Sequence, residues 1–458
     1  MSEAAVMATE KQAVPQGYKQ TEVGVIPEDW IVMFIDDCAV KVGSGKTPTG
    51  GAAVYVDAGR PFIRSQNVDR GKLDLSDVAF ITDAVHSTFI GTELKEDDVL
   101  LNITGASIGR CSKADRRIIG GNVNQHVCII RTDDKKLLPK LLVELINSSI
   151  GQNQIDSYQA GGNREGLNFS QVRQLTFSIS ADITEQTAIA NALSDMDALL
   201  SELEQLIAKK QAIKTATMQQ LLTGKTRLPQ FTIHTDGEHK GQPKGMKPSE
   251  LGEIPEDWEV EPLGALLSDN PKYGINAAAV PLSGNLPVYI RITDISEDGY
   301  FKPTKKVGVN SPFSDMYKLK SGDIVLARTG ASVGKSYLYQ ENDGELVFAG
   351  FLIKISPDQK RLSSEFLSHF LKTNQYWNWV TVNSMRSGQP GINSNQYKSL
   401  QLALPKIHEQ TAIANILSDM DAEIQALEQR LAKTRQIKQG MMQELLTGKT
   451  RLPVKAGD

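Results

Sequence analysis

Apolar positions recur with a helical period in two long stretches of the chain. In each stretch they alternate steps of four and three residues, which is the heptad spacing of helices that pack along a seam. The pattern therefore predicts two long helices with matching apolar stripes. The seam positions are Ile189, Leu193, Met196, Leu200, Leu203 and Ile207 in the first stretch and Ile413, Leu417, Met420, Ile424, Leu427 and Leu431 in the second.

Both stripes shift register near their middle, around Lys209–Lys210 and Thr434–Arg435, and then resume. Each stretch ends at the same Thr-Gly-Lys, whose glycine suits a helix C-cap. About 40 helical residues extend roughly 60 Å at 1.5 Å per residue, so we expect the two stripes to bury each other along this length. The resumed apolar positions are Ile213, Leu221, Ile437 and Leu445, and the capping glycines are Gly224 and Gly448.

The two stretches belong to an internal repeat. Residues 185–229 align without gaps on 409–453 and are identical at 31 of 45 positions. VGVIPEDW at 23–30 returns as LGEIPEDW at 251–258, whereas 31–160 and 259–385 share little. Two copies of one frame around divergent inserts predict one scaffold role performed twice and two different recognition tasks.

The repeat predicts a mixed α/β protein in which two globular inserts are joined by the long helices. If a pseudo-twofold axis relates the halves, the helices pair antiparallel as a coiled coil. A homodimeric coiled coil is the alternative, and it explains the helices but not the duplicated frame. The expected boundaries are a tail at 1–16, a globular domain at 17–182, a helical segment at 183–229, a Gly/Pro/Lys-rich linker at 230–250, a second globular domain at 251–406 and a second helical segment at 407–453.

The stretch TGASVGKS at 329–336 approaches the phosphate-binding motif G-x-x-x-x-G-K-[ST] without matching it. Thr329 stands where the first glycine is required, and the β-prone YLYQENDG follows where a nucleotide-binding protein needs a helix. The copy at 104–111, TGASIGRC, replaces the lysine and the serine. We therefore expect a strand–turn–strand element in both halves rather than an ATPase site.

Composition narrows the class of protein. With 458 residues, 40% hydrophobic and 23% charged, the chain can bury ordinary cores. It has no apolar run of membrane-spanning length, and MSEAAVMATEKQ lacks a signal-peptide core, so we expect a cytoplasmic protein without membrane contact. Its three cysteines are scattered, which favours buried thiols over disulfides or a metal site. A net charge of −4 suggests that a nucleic-acid role would need partner chains to share phosphate neutralisation.

These motifs together resemble the specificity subunit of type I restriction-modification systems. The resemblance covers about 17–453 and rests on the paired GxIPEDW, EQxAIAxxLSDMD and LLTGKTRL motifs. It implies that each insert is a target-recognition domain reading half of a split double-stranded DNA site, with the antiparallel coiled coil as a spacer. It also implies two methyltransferase subunits that use S-adenosylmethionine, and restriction subunits that use ATP and Mg²⁺ to translocate and cleave DNA.

The residues agree with a chain that carries no chemistry of its own. No [DNS]PP[YFW] adenine-methyltransferase motif is present, no Pro-Pro pair occurs, and no catalytic constellation can be assembled. We therefore expect a non-catalytic chain that binds no cofactor or metal itself. Alternatives that remain are a subunit serving a fused nuclease–methyltransferase, a coiled-coil adaptor without a DNA role, and an NTPase dependent on Lys335.

Candidate DNA contacts follow from how duplexes are recognised: arginine pairs with guanine, asparagine or glutamine with adenine, and small polar or basic groups with phosphates. Because both inserts keep the TGAS turn, we assign it to the fold or to phosphates rather than to base choice. The candidates are Lys46, Thr47, Arg64, Ser65, Gln66, Asn67, Thr104, Ser107, Arg110, Asn124, Gln125, Arg164 and Asn168 in the first half and Arg291, Thr293, Arg328, Thr329, Ser332, Lys335, Arg386, Gln389 and Asn393 in the second.

Overall fold

The computed structural model describes residues 14–89, 91–159, 166–385 and 389–453. The chain divides into two compact units. The first unit takes the residues up to 204 together with those from 429 onward, and the second takes 205–428. Each unit therefore contains one globular insert and a portion of both long helices.

The helices and strands of the first repeat end with a helix of 39 residues. In chain order the elements are β1 (Tyr18–Thr21), β2 (Gly24–Pro27), β3 (Trp30–Phe34), α1 (Ile35–Cys38), β4 (Ala39–Ser44), β5 (Arg60–Ile63), β6 (Ala79–Ile81), α2 (Asp83–His86), β7 (Val99–Asn102), β8 (Cys111–Lys113), β9 (Asn122–Val123), β10 (Val127–Thr132), α3 (Pro139–Asn147), α4 (Ser149–Gln159), α5 (Phe169–Arg173), β11 (Thr176–Ser180) and α6 (Ile183–Leu221).

The second repeat has a similar succession and also ends with a helix of 39 residues. It adds the strand Ala279–Pro281, and it has 3-10 helices at Leu263–Leu266 and Ser314–Tyr317 where the first repeat has α1 and α2. Its elements are β12 (Met246–Ser249), β13 (Gly252–Pro255), β14 (Glu259–Pro262), β15 (Lys272–Tyr273), β16 (Ala279–Pro281), β17 (Val288–Ile290), β18 (Val307–Val309), β19 (Ile324–Ala327), β20 (Ser336–Leu338), β21 (Leu346–Phe348), β22 (Leu352–Ile355), α7 (Ser364–Phe370), α8 (Asn374–Ser384), α9 (Ser394–Lys398), β23 (Gln401–Leu404) and α10 (Ile407–Leu445).

The first insert is built on a four-stranded sheet of order β4-β10-β7-β8. The central strand β7 is buried on both faces, as the continuous apolar run Val99–Leu101 requires. Leu101 packs in the core that includes α3, whereas Leu100 packs in the core that includes β9. A smaller sheet of order β6-β5-β9 covers this second face. The insert is thus layered, with helices on one side and a second sheet on the other.

The second insert repeats this topology although its sequence shares little with the first. Its sheet has the order β15-β22-β19-β20, and its smaller sheet has the order β16-β18-β17-β21. The parallel pairing of β17 with β21 corresponds to that of β5 with β9. Strand β19 is buried throughout, like β7. Inner strands need only apolar side chains, so their sequences can diverge while the topology stays.

Within each unit the long helices run antiparallel, which confirms the coiled-coil prediction. In the first unit Asp197 of α6 pairs with Lys438 of α10 at 2.6 Å, and Glu204 pairs with Arg435 at 2.7 Å. In the second unit Lys210 pairs with Glu423 at 2.7 Å. No described helix is long and apolar enough to cross a lipid bilayer.

Most of the predicted seam is buried, but the apolar positions predicted after the register shift are only partly buried. Leu221 and Leu445 are buried, at 6% and 3% exposure. Ile213 and Ile437, which the stripe also includes, remain 42% and 47% exposed. After the register shift, the apolar contact moves to the helix ends, where those leucines join the cores of the globular inserts.

The motifs shared by the repeats meet each other across the repeat boundary. In the second unit Arg227, from the end of the first repeat, pairs with Asp257 at 2.8 Å and with Glu409 at 2.5 Å. In the first unit Arg451, from the end of the second repeat, pairs with Asp29 at 2.8 Å and also with Glu185. Each unit therefore joins the frame of one repeat to the helix end of the other.

Gly224 and Gly448 complete these contacts. Their φ angles of +72° and +70° lie in the left-handed region, as predicted for a helix C-cap. A Cβ on Gly224 would lie 2.5 Å from Pro255, and a Cβ on Gly448 would lie 2.5 Å from Pro27. The three shared motifs are thus one contact set, which explains why they recur together.

Helices α3 and α7 occupy equivalent places but present different titratable groups to the long helices. Glu144 of α3 lies 3.2 Å from Lys438, and burial raises the pKa of its carboxyl although Lys438 opposes the shift. His369 of α7 lies 3.2 Å from Ser418, and burial lowers the pKa of its imidazole to about 4, with Lys372 acting in the same direction. In both cases burial favours the neutral form of the side chain, so the pKa of the carboxyl rises and that of the imidazole falls.

Candidate nucleic-acid interface

The TGAS stretches form strand–turn–strand elements, as the sequence predicted. The first turn joins β7 to β8 and the second joins β19 to β20. The first glycine of each turn, Gly105 or Gly330, has a left-handed φ of +75° or +71°. Strand β20 begins at Ser336, directly after Lys335, so a strand and not a helix follows the lysine. The geometry of a phosphate-binding loop is therefore missing from the described chain at this point.

In the first half, three predicted residues meet around a histidine that sequence reasoning missed. Thr47 donates to the Gln125 side chain, and Gln125 lies 2.8 Å from His126 Nε2. The Nδ1 of His126 contacts Thr104 Oγ1. This first-half cluster (Thr47, Thr104, Gln125 and His126) joins the loop after β4, the TGAS turn and the turn before β10. The only signal in the sequence was the neighbouring Asn-Gln-His run.

A glycine brings the loop after β4 to this cluster. A Cβ on Gly45 would lie 1.7 Å from the carbonyl oxygen of Val123, so only glycine permits this approach. Lys46 and Thr47 follow and are exposed. The Lys46 ammonium lies 5.3 Å from the centre of the Phe89 ring. The predicted glycine loop thus presents one cation and one hydroxyl beside the cluster.

The polar run 64–67 is divided between the surface and the interior. Asn67 is 1% exposed, and its amide donates to the carbonyls of Asp74 and Asp77. Arg64 pairs with Asp77 at 3.2 Å, and Gln66 donates to the same carboxylate at 2.6 Å. Asn67 therefore holds the turn, and its carboxamide is not available to DNA, contrary to the sequence-based expectation.

The remaining first-half candidates are scattered around this surface. Arg110 is 3.6 Å from Asp69. Asn168 is the N-cap of α5 and accepts from the Gln171 amide, so it has a local structural role. Asn124 is half-buried, and its side chain accepts from the His126 backbone amide at 3.1 Å, so it also has a local role. Ser65 and Ser107 are half-buried.

Phe89 also borders a cleft of about 330 Å³ in the first insert. His86, Lys95 and Arg131 contribute basic groups to the lining, and Glu93 contributes an acid. Arg131 donates to the fully buried Asp98 at 2.6 Å. Six of the seven lining residues fall between positions 86 and 95, and Arg131 comes from a separate strand.

In the second half the candidate cations differ in their partners. Arg291 pairs with Asp294 at 2.8 Å, and Lys335 pairs with Glu297 at 2.6 Å. Arg328 instead lies 5.1 Å from the centre of the Tyr273 ring. Tyr273, which sequence reasoning missed, places its hydroxyl 3.3 Å from Ser394 Oγ.

The other second-half candidates lie close to Arg328 or serve as caps. Thr329 bridges to Gly391, and the side chain of Gln389 approaches Gly330. Asn393 is the N-cap of α9 and accepts from Gln396, as Asn168 does in the first half. Thr293 is exposed and Ser332 is half-buried. The second-half cluster is defined as Tyr273, Arg328, Thr329, Gln389 and Ser394.

Two predicted contacts, Arg164 and Arg386, lie outside the described residues. The cysteines Cys38, Cys111 and Cys128 are buried, as expected. Within the described ranges, no group of three or more His, Cys, Asp or Glu side chains is placed to hold a metal ion.

Comparison with known proteins agrees with this arrangement. The family model of the type I restriction modification DNA specificity domain matches residues 27–215 and 255–438. The chain is similar to the type I restriction enzyme MjaVIII specificity subunit of Methanocaldococcus jannaschii, with 21% identity over 457 residues, 95% of this chain and 96% of that subunit. It is also similar to the StySPI specificity subunit of Salmonella potsdam, with 22% identity over 431 residues, 89% of this chain and 85% of that one.

Among solved structures, the fold is similar to the S subunit of the type I restriction-modification system from M. genitalium. The TM-score is 0.54 at 15% identity, covering 91% of this chain and 96% of that chain. The family model alone covers most of the chain, and both of its matches include one globular insert. The chain therefore belongs to the family of the type I restriction modification DNA specificity domain.

Proposed function

We propose that the chain is the specificity subunit of a type I restriction-modification complex and reads a split double-stranded DNA target. The observation that carries this is the pair of inserts with one topology and different polar groups at equivalent turns. His126 contacts Thr104 and Gln125 in the first half, whereas Arg328, which precedes Thr329, lies over the Tyr273 ring in the second. Equal scaffolds with unequal polar faces suit two half-sites of different sequence.

In this proposal residues 17–182 and 251–406 are the recognition domains, and the helical segments 183–229 and 407–453 set the gap between half-sites. The antiparallel helix pairing supports this division, because a helix pair is stiff over several turns. The DNA-contacting role of the candidate residues remains part of the proposal. Asn67 is the exception, since its carboxamide is buried.

Methylation and cleavage are assigned to partner subunits. Two methyltransferase subunits would use S-adenosylmethionine to methylate adenine, and restriction subunits would use ATP and Mg²⁺. Support comes from the absence of an adenine-methyltransferase motif in the sequence and from the strand that follows Lys335. A near-neutral chain also needs other subunits to neutralise the phosphates it encloses.

Sequencing of methylated adenine tests the proposal. DNA from cells that express the chain with its methyltransferase partner should carry a two-part asymmetric motif with a fixed gap, absent from cells without the chain. A motif that appears only with a fused nuclease–methyltransferase would identify that partner class instead. If the assembled complex adds no methylation and binds no duplex, the proposal is wrong and the coiled-coil adaptor hypothesis is retained.

A further inference from the structure

The cations of the second insert differ in whether an acid already holds them. Arg291 and Lys335 each pair with a carboxylate, at 2.8 and 2.6 Å. Arg328 has no carboxylate within ion-pair distance among the described residues. The charge of this half-buried guanidinium is therefore not balanced by a carboxylate of the described chain. Burial of a charge is unfavourable unless a partner compensates it.

Arg328 is nevertheless held in one orientation. Its Nε donates to the carbonyl oxygen of Gly350 at 3.2 Å, and its Cζ lies 5.1 Å from the centre of the Tyr273 ring. Its own backbone amide donates to the carbonyl of Phe351 at 3.1 Å. The face of an aromatic ring attracts a cation at this distance, and the ring and the Gly350 carbonyl together restrain the guanidinium.

This geometry leaves a pair of donors in place. Neither of the two residues that follow Arg328 is acidic. The Nη1 and Nη2 atoms of Arg328 form no hydrogen bond with another described residue. Two coplanar N–H groups match the O6 and N7 acceptors of guanine, and this bidentate pair is the commonest specific contact of proteins with the major groove. A phosphate takes the same donors but needs no such fixed plane.

The equivalent residue of the first insert supports a role in base choice. The residue before the first TGAS turn is Ile103, which is 5% exposed and packs in the core. The turn itself is retained, but the arginine is not. A group that holds the fold would be kept in both halves, whereas a group that reads a base differs between them.

We infer that Arg328 reads a guanine in the second half-site through N7 and O6, with Tyr273 and Gly350 as its positioning residues. This rests on the proposed function, since it requires that the second insert faces a duplex. It deepens that function by naming one base and the side chain that selects it.

The test uses the assembled complex of the chain with its methyltransferase partner and the split motif obtained from methylation sequencing. Each guanine of the second half-site is replaced in turn by 7-deazaguanine, which keeps base pairing and O6 but has no N7 acceptor. Binding of the unaltered complex should weaken about tenfold at one guanine, as expected when one hydrogen bond of a bidentate pair is lost. The Arg328→Lys variant should bind the natural duplex more weakly and lose its sensitivity at that guanine alone.

Arg116→Lys is the matched control, because Arg116 is an exposed arginine of the first insert, 88% accessible. It should keep the full 7-deazaguanine profile of the unaltered complex. If Arg328→Lys fails to assemble, Tyr273→Leu removes the stacking face and supplies the second comparison. The scan of the unaltered complex needs no variant, so it decides the first point in either case.

Three results would overturn the inference. One is a second half-site that contains no guanine, and another is a half-site in which no guanine responds to loss of N7. The Arg328→Lys variant could keep its sensitivity at every guanine while binding all duplexes uniformly less well, which is the behaviour of a phosphate contact. Failure of the proposed function looks different, because the unaltered complex would then bind no split sequence at all.

Discussion

Arg227→Ala should destabilise the second unit more than Arg451→Ala destabilises the first, although both arginines end the same motif. The side chains of Arg227 and Glu409 are 8% and 3% exposed. Loss of Arg227 therefore leaves a buried carboxylate without a counter-charge, which costs about 3–5 kcal/mol. Burial lowers the pKa of Arg227, but the hydrogen bonds that it donates to Glu409 and Asp257 outweigh this effect and raise the pKa, which agrees with a tightly held cation.

The pair in the first unit is more tolerant. Arg451 is 41% exposed, and Glu185 keeps a hydrogen bond from Trp30 Nε1 at 3.2 Å when the arginine is removed. Its loss should cost only about 1–2 kcal/mol, since water screens the site. The corresponding Trp258 Nε1 is buried without a hydrogen-bond partner in the described part of the second unit, so Glu409 has no such reserve.

Amide hydrogen exchange at increasing urea concentrations is the appropriate assay, because it reports local opening in each unit separately. Peptides that cover the starts of α6 and α10 should show the two losses. Adding Glu409→Gln to Arg227→Ala removes the stranded charge and should recover at least half of the lost stability. Equal losses, or a larger loss for Arg451→Ala, would refute the reasoning.

Four further predictions rest on the same structure. Acidification from pH 7 to pH 4 should destabilise the second unit by roughly 3 kcal/mol through His369, since the pKa of this residue is lowered from 6.5 to about 4 on folding. Amide hydrogen exchange in α7 should report this loss of stability, and His369→Gln should abolish it. Burial raises the pKa of Glu144, so the first unit should lose stability as pH rises from the ordinary glutamate value through the raised one, and Glu144→Gln should flatten that slope. Gly45→Ala should weaken duplex binding by the complex, because a Cβ there meets Val123 at 1.7 Å. Gly43→Ala, whose Cβ would have nothing within 4 Å, should not weaken it. Removal of one heptad from both long helices should change the length of the gap in the methylated motif.

The helices and the repeat could be predicted from the sequence because their signals are local and periodic. The heptad spacing placed α6 and α10, and the shared Thr-Gly-Lys placed their ends. The spacing could not show that Ile213 and Ile437 stay exposed, because the seam depends on which elements cover the helix ends. The common topology of the inserts was not visible either, since buried inner strands constrain hydrophobicity rather than identity.

The candidate site shows the same limit more strongly. Thr47, Thr104 and Gln125 were selected as separate local features, and only the fold brings them together around His126. Tyr273 was missed because its role depends on contact with Arg328, which lies 55 positions later in the sequence. Asparagine has two common uses, and sequence alone did not separate base reading from the capping seen at Asn168 and Asn393.

The most direct test of the account is exchange of residues 31–160 for the corresponding insert of another specificity subunit, followed by sequencing of methylated adenine in cells that also supply the methyltransferase partner. If each insert reads one half-site, one half of the methylated motif should change, while the other half and the gap stay the same. A change in both halves, or in neither, would contradict the claim that the two inserts recognise DNA independently on a shared helical spacer.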